Sequence, residues 1–265
     1  MAEADRWAPR TEIGAGWKRA LLGAILAAAI GLGVAFVLSS VAVFAIAPAV
    51  GHRSLVVIVA IVFATGSLGF IATGLVFLGL RNRSLRSYLG LRVPGFGDLL
   101  FTAGGYVGAL ALVFGVGVLL TLFQIEAETT NQAAELGMEN PELLLWFVPL
   151  SIVVIAPGEE LLFRGVVQGR LREALPVRIA VPLAAAIFAT VHFFALTGAA
   201  KARFVAIALL FFPSLVFGYV YERTQNLLVP ILIHGAYNST LFLALYLTVA
   251  MRADVPAALY VSSAV

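Results

Sequence analysis

Apolar residues in this chain come in long runs, and no fixed-period repeat is visible. Polar residues are mostly confined to the gaps between the runs. A hydrocarbon core about 30 Å thick is crossed by roughly 20 apolar residues in an α-helix. Seven stretches meet or approach that length: Ala20–Ala47, Leu55–Leu80, Leu99–Phe123, Leu143–Pro157, Ile179–Leu196, Phe204–Tyr221 and Leu227–Ala250. The fourth is short by itself and reaches a span's length if it continues through Glu159 and Glu160. Between the second and third, the segment 81–98 places Leu85, Tyr88, Leu89 and Leu91 among arginines, which suits an interfacial helix. The pattern predicts an all-α, polytopic transmembrane bundle of about seven to eight spans. It divides into a tail over 1–19, N-terminal spans over 20–140, a core over 141–250 and a second tail over 251–265. Gly and Ala are frequent in the runs, as expected where helices pack closely in lipid.

Composition supports this. Charged residues make up 12% of the chain and hydrophobic residues 62%, against about 25% charged in soluble domains. The run from Ala20 is too long for a signal-peptide core and reads as a retained span. The chain has no cysteine, which removes disulfides, Cys-ligated metals and Cys nucleophiles. A net charge of +3 with no dense basic block points away from nucleic acid and towards the lipid bilayer.

Charge placement orients the bundle, because Lys and Arg favour cytoplasmic loops. Arg6, Arg10, Lys18 and Arg19 precede the first span. Arg81, Arg83, Arg86 and Arg92 follow the second, and Arg164, Arg170, Arg172 and Arg178 follow the fourth. The connection from Gln124 to Glu142 instead carries five Glu (126, 128, 135, 139 and 142) and no Lys or Arg. Seven spans alternate consistently with a cytoplasmic N-terminus and an outer acidic loop, in a multi-pass protein of the plasma membrane. Lys201 and Arg203 are the exception.

Candidate chemistry sits inside the runs. Ionisable groups in hydrocarbon are costly and usually face a bundle interior or a water-filled cavity. Gly158-Glu159-Glu160-Leu-Leu-Phe-Arg164 places Glu160 and Arg164 four apart on one helical face. Glu159 points about 100° away. Two adjacent carboxylates with an Arg one turn on suit a division of labour, one carboxylate as base and one structural. His192 stands one turn after Phe188, and His234 one turn before Asn238. His52 lies in a loop. A carboxylate and an imidazole can activate a water, and a second His with an Asn amide can stabilise an oxyanion. Gly-x-Ser-x-Gly and His-Glu-x-x-His are absent. Glu159, His192 and His234 also match a Zn²⁺ ligand inventory. Asn is a poor Zn²⁺ ligand, which tilts the reading towards water activation with no required cofactor. The competing reading is a non-catalytic membrane protein or transporter whose Glu/His set carries protons or ions. Paired broken helices in an inverted repeat would mark a transporter, and none is visible.

Taken together, Glu159-Glu160-Leu-Leu-Phe-Arg164, Phe188-Ala-Thr-Val-His192 and His234-Gly-Ala-Tyr-Asn238 resemble the CPBP family of intramembrane proteases. That family includes the type II CAAX prenyl endopeptidases and the bacteriocin-processing and Abi groups. The resemblance covers about Leu143–Tyr246. It implies an intramembrane endopeptidase, of glutamate or metallo type, acting on a membrane-bound protein or peptide through a cavity on the cytosolic side. It implies Glu159 and His192 as the water-activating pair, His234 and Asn238 as oxyanion stabilisers, and Glu160, Arg164 and Phe188 as ordering residues. One conflict follows from the span boundaries. Ending the fourth span at Pro157 leaves Glu159 at its inner end, while His192 lies roughly 20 Å along the next span. Either the fifth span starts after Pro182 or the fourth is shifted.

Overall fold

The computed structural model describes residues 10–50, 55–124 and 131–253. The outermost residues of both tails, with Arg6, and the loop residues His52, Glu126 and Glu128 lie outside them. Where no water reaches the backbone, its N–H and C=O groups must be satisfied within the segment, so the apolar runs become helices. Among the described residues seven helices are long and apolar enough to cross a membrane. They are α1 (Trp17–Val50), α2 (Leu55–Leu80), α4 (Phe96–Leu122), α6 (Pro141–Arg172), α7 (Val177–Val191), α8 (Ala200–Thr224) and α9 (Leu228–Ala253). Two short helices join them, α3 (Leu85–Leu89) and α5 (Gln132–Glu139).

The fourth span accordingly runs on well past Pro157 to Arg172, and it forms the axis of the bundle. Its first half packs on α2 and α9, its second on α1, α2 and α7. Every residue from Leu161 to Gln168 is buried. The helix is not regular. It widens into π turns at Ser151–Ile155 and Leu161–Gln168, on either side of the Glu pair. Pro157 lacks an N–H and its ring crowds the carbonyl of Val153, and a widened turn before it relieves both defects. Directly after Pro157, a Cβ on Gly158 would stand 2.6 Å from the Ser67 carbonyl oxygen of α2. The backbones of α2 and α6 therefore touch at the residue preceding Glu159. Gly158→Ala should lower stability by about 1–3 kcal/mol, the usual cost of overpacking, with a matching fall in the midpoint of unfolding in detergent. An unchanged midpoint would show that the two helices part freely.

The arginine-bearing connections gather at one end of the bundle. There Gly14 N–H donates to the Ala174 carbonyl at 2.8 Å, and Glu173 pairs with Arg81 and Arg170. Arg92 pairs with Asp98 and donates to the Thr224 carbonyl. The acidic α5 lies at the other end, where Asn131 bridges to Leu196 and Gln132 donates to the Phe194 carbonyl. Helix α3 departs from the expected interfacial role. Tyr88 and Leu89 are buried in the core, and of the helix's apolar residues Leu85 alone is exposed, beside Arg86 and Ser87. The Leu89 carbonyl accepts from Tyr221 Oη and from the Leu227 N–H, so α3 plugs the bundle where α8 turns into α9.

Candidate active site

At 1.5 Å per residue, Glu159 lies roughly 20 Å from Arg172 along α6, and His192 a similar distance from Val177 along α7. Once α6 extends to Arg172, the two motifs stand at matching depth. His192 itself opens a 3₁₀ turn, His192–Ala195, that ends α7. Its Nδ1 lies 2.8 Å from the Phe188 carbonyl. A carbonyl only accepts, so Nδ1 carries a proton and donates, and in the neutral tautomer Nε2 is the acceptor. That Nε2 stands 3.9 Å from Glu159 Oε2.

The same carboxylate oxygen is 3.8 Å from His234 Nε2 on α9. His234 Nδ1 lies 2.8 Å from Glu160 Oε1 and donates to it. The other Glu160 oxygen is in an ion pair with Arg164 Nε at 3.2 Å, one turn along α6. Glu160 is 0% and Arg164 1% exposed, whereas Glu159 and His192 retain 13% and 18%. The adjacent carboxylates thus differ in kind. Glu160 is sealed between a guanidinium and an imidazole, and Glu159 faces the open side of the site.

Aromatic rings fill the space behind these groups. The Arg164 guanidinium lies between Phe188, at 4.9 Å, and Phe217, at 5.7 Å. Phe188 also contacts the His192 ring at 4.5 Å and the His234 ring at 6.0 Å. Phe217 stacks on His234 at 5.0 Å with planes 24° apart. Asn238 shares the His234 face of α9, is half-buried, and has no hydrogen-bond partner among the described residues. Glu159, Glu160, Arg164, Phe188, His192 and His234 therefore meet in one cluster, and Asn238 stands one helical turn from it.

Two members of the site escape a reading of the sequence. Ser214 accepts a hydrogen bond from Arg164 Nη2 at 3.3 Å, and Phe217 provides the stacked ring. Ser214 is a polar residue inside an apolar run, which is a weak signal. Phe217 is one of 19 phenylalanines and carries no signal at all.

The donor types suit a metal ion in kind, since two imidazole Nε2 atoms and a carboxylate oxygen face one another with their outer nitrogens hydrogen-bonded. An ion with bonds of 2.0–2.1 Å would set tetrahedral ligands about 3.3–3.4 Å apart. The separations here are wider, and among the described residues no group of three His, Cys, Asp or Glu stands at metal-holding distance. Glu159, His192 and His234 would hold such an ion if drawn inward by about half an ångström, and it would polarise a carbonyl and a bound water.

A family profile described as Type II CAAX prenyl endopeptidase Rce1-like matches residues 141–240. This segment is similar to that family. The Rce1-like region holds every residue of the cluster, from α6 through the first half of α9, and leaves residues 1–140 unmatched. No curated protein and no solved structure matches the chain. The matched segment lies within a chain that has, among the described residues, seven helices long and apolar enough to cross a membrane.

Proposed function

We propose that the protein is an intramembrane endopeptidase that hydrolyses a peptide bond in a membrane-associated or lipidated protein, with Glu159 and His192 activating the water. The observation that carries this reading is the convergence of Glu159, His192 and His234 from three different spans, with Glu160 and Arg164 sealed behind them. The 3.9 Å between Glu159 Oε2 and His192 Nε2 leaves room for one water within hydrogen-bond reach of both. Its two O–H groups donate to the carboxylate and to the imidazole lone pair, which turns an oxygen lone pair towards the scissile carbonyl. Glu159 takes a proton as the water attacks and returns it to the departing amine nitrogen, so one water is consumed and a carboxyl and an amine are released.

The tetrahedral oxyanion then needs donors. The Asn238 amide has no hydrogen-bond partner among the described residues and can donate. His234 already donates from Nδ1 to Glu160, so it can donate from Nε2 only as an imidazolium. In that state Glu159 and Glu160 are balanced by Arg164 and His234, and the buried charge sums to zero. With His234 neutral, three lone pairs meet, which is the ligand set of the metallo alternative. The protonation of His234 therefore separates the two mechanisms. The expected result is turnover by enzyme shown to be metal-free by elemental analysis. Asn238→Ala should cost about 10²–10³ in kcat, the scale of one lost oxyanion donor. Activity that disappears with the metal and returns with stoichiometric Zn²⁺ would establish the metallo form.

The arginine-rich end faces the cytoplasm in this proposal, with the N-terminus there and the protein in the plasma membrane. Because the native chain has no cysteine, single thiols report sidedness directly. A thiol at Arg86 should react with a membrane-impermeant reagent only when the cytoplasmic face is open, and one at Glu135 in intact cells. The reverse pattern would invert the topology. Comparison of membrane-peptide termini between wild-type and Glu159→Gln cells identifies the substrate.

A further inference from the structure

Glu160 and Arg164 belong to a longer ladder. On α6 the residues Glu160, Arg164, Gln168 and Arg172 recur every fourth position, and all are at most 2% exposed. They face Ser214, Gly218 and Glu222 on α8, which recur with the same period. Arg164 donates to Ser214 Oγ at 3.3 Å. Gln168 donates to the Gly218 carbonyl at 3.1 Å and to Glu222 at 2.9 Å. Arg172 pairs with Glu222 at 3.1 Å. The lower rungs fasten the two helices together. The upper rung differs, because it ends on reacting groups: Ser214 holds Arg164, Arg164 holds Glu160, and Glu160 holds His234 Nδ1. Three residues beyond Ser214, on the same face of α8, Phe217 stacks on the His234 ring and underlies the Arg164 guanidinium. One face of α8 thus touches the Arg–Glu–His chain at both ends.

We propose that Ser214 and Phe217 are positioning residues for the reaction, a role that rests on the proteolytic reading. Together they hold the Glu160 carboxylate and the His234 imidazole in the one arrangement that aims His234 Nε2 at the site. The reason is geometric. An imidazole bonded at a single nitrogen can still swing about that bond, and the Phe217 face stops the swing. Ser214 Oγ accepts from Arg164 Nη2, so the planar guanidinium that pairs with Glu160 through Nε is also held from α8. Ser214 and Phe217 are buried behind the site, 1% and 2% exposed, so their loss should lower kcat and leave KM unchanged.

The test compares Ser214→Ala, Ser214→Thr and Phe217→Leu in the full-length protein in detergent. Tyr219→Phe, on the exposed side of α8, serves as the control. Ser214→Ala and Phe217→Leu should each reduce kcat by about 10- to 100-fold, the scale seen when the partner that orients a site histidine is removed. Ser214→Thr, which keeps the hydroxyl, should restore most of it. A readout independent of turnover is the ¹⁵N spectrum of the His234 ring. Its two nitrogen signals should move in Ser214→Ala and Phe217→Leu, and stay in place in Ser214→Thr and Tyr219→Phe. If Phe217→Leu fails to fold, the Ser214 pair decides. Unchanged kcat and ring signals in folded Ser214→Ala overturn the proposal, and so does a Ser214→Thr protein as impaired as Ser214→Ala. If wild-type protein cleaves no peptide while the ring signals respond as expected, the proteolytic reading falls and the orienting contact stands.

Discussion

Glu159→Gln should abolish peptide-bond cleavage and leave the bundle intact. The amide keeps the shape of the carboxylate, but it cannot take a proton from water. Because Glu159 is the more exposed carboxylate, with imidazoles at 3.8 and 3.9 Å as its ion-pair partners among the described residues, its replacement leaves the sealed Glu160–Arg164 pair in place. The fold should therefore survive with an unfolding midpoint near that of the wild type. Removing a positioned general base costs about 10²–10⁴ in rate, and His192→Ala, which removes the second acceptor for the same water, should fall in the same range. The double variant should be little worse than either single one, since groups that act as a unit are not additive in their losses. The measurement is cleavage of a reporter peptide by purified protein in detergent or liposomes. Residual turnover above a tenth of wild type in Glu159→Gln would remove this carboxylate from the chemistry, and Glu160 would then be the base to test.

Arg164→Ala should instead act on stability. It leaves Glu160, a carboxylate with 0% exposure, facing a single imidazole, and it empties the space between Phe188 and Phe217. Breaking a buried pair from one side costs about 3–5 kcal/mol, because the abandoned charge stays desolvated. The unfolding midpoint should drop sharply, and activity with it. Adding Glu160→Gln to Arg164→Ala removes the abandoned charge. That double variant should recover part of the stability and none of the turnover, because His234 then lacks its charged partner. A midpoint for Arg164→Ala equal to that of the wild type would show that water reaches Glu160 freely, contrary to its burial.

The two carboxylates illustrate how far sequence spacing reaches. The interval of four between Glu160 and Arg164 is enough to pair them on a helix, and they pair at 3.2 Å. The seven spans, the all-helical class and the opposite ends for arginine-rich and acidic connections follow from hydropathy and charge alone, because lipid leaves an apolar backbone run no alternative to a helix. The span boundaries are a different matter. Counting apolar residues stopped the fourth span at Pro157, since Glu159, Glu160 and Arg164 are charges that a hydropathy count rejects. The structure carries α6 through them to Arg172, because each of the three finds a partner on a neighbouring helix, Glu159 and Glu160 at the imidazoles and Arg164 at Ser214. Likewise α3 looked like a surface helix from its arginines, while Tyr88 and Leu89 were filling the core.

What the chain determines by itself is local: which segments must be helices, which residues share a face, and which polar groups must be satisfied inside the bundle. Three things were left to the tertiary structure. It set the depth of the Glu pair, through a helix that bulges at both sides of Pro157. It separated the environments of Glu159 and Glu160, one open to the imidazoles and one sealed. And it brought up α8, whose Ser214 and Phe217 close around Arg164 and His234. These depend on where helices distant in sequence come to lie. An apolar run constrains such placement weakly, because lipid-facing and helix-facing surfaces are written in the same residues and only close packing between helices tells them apart.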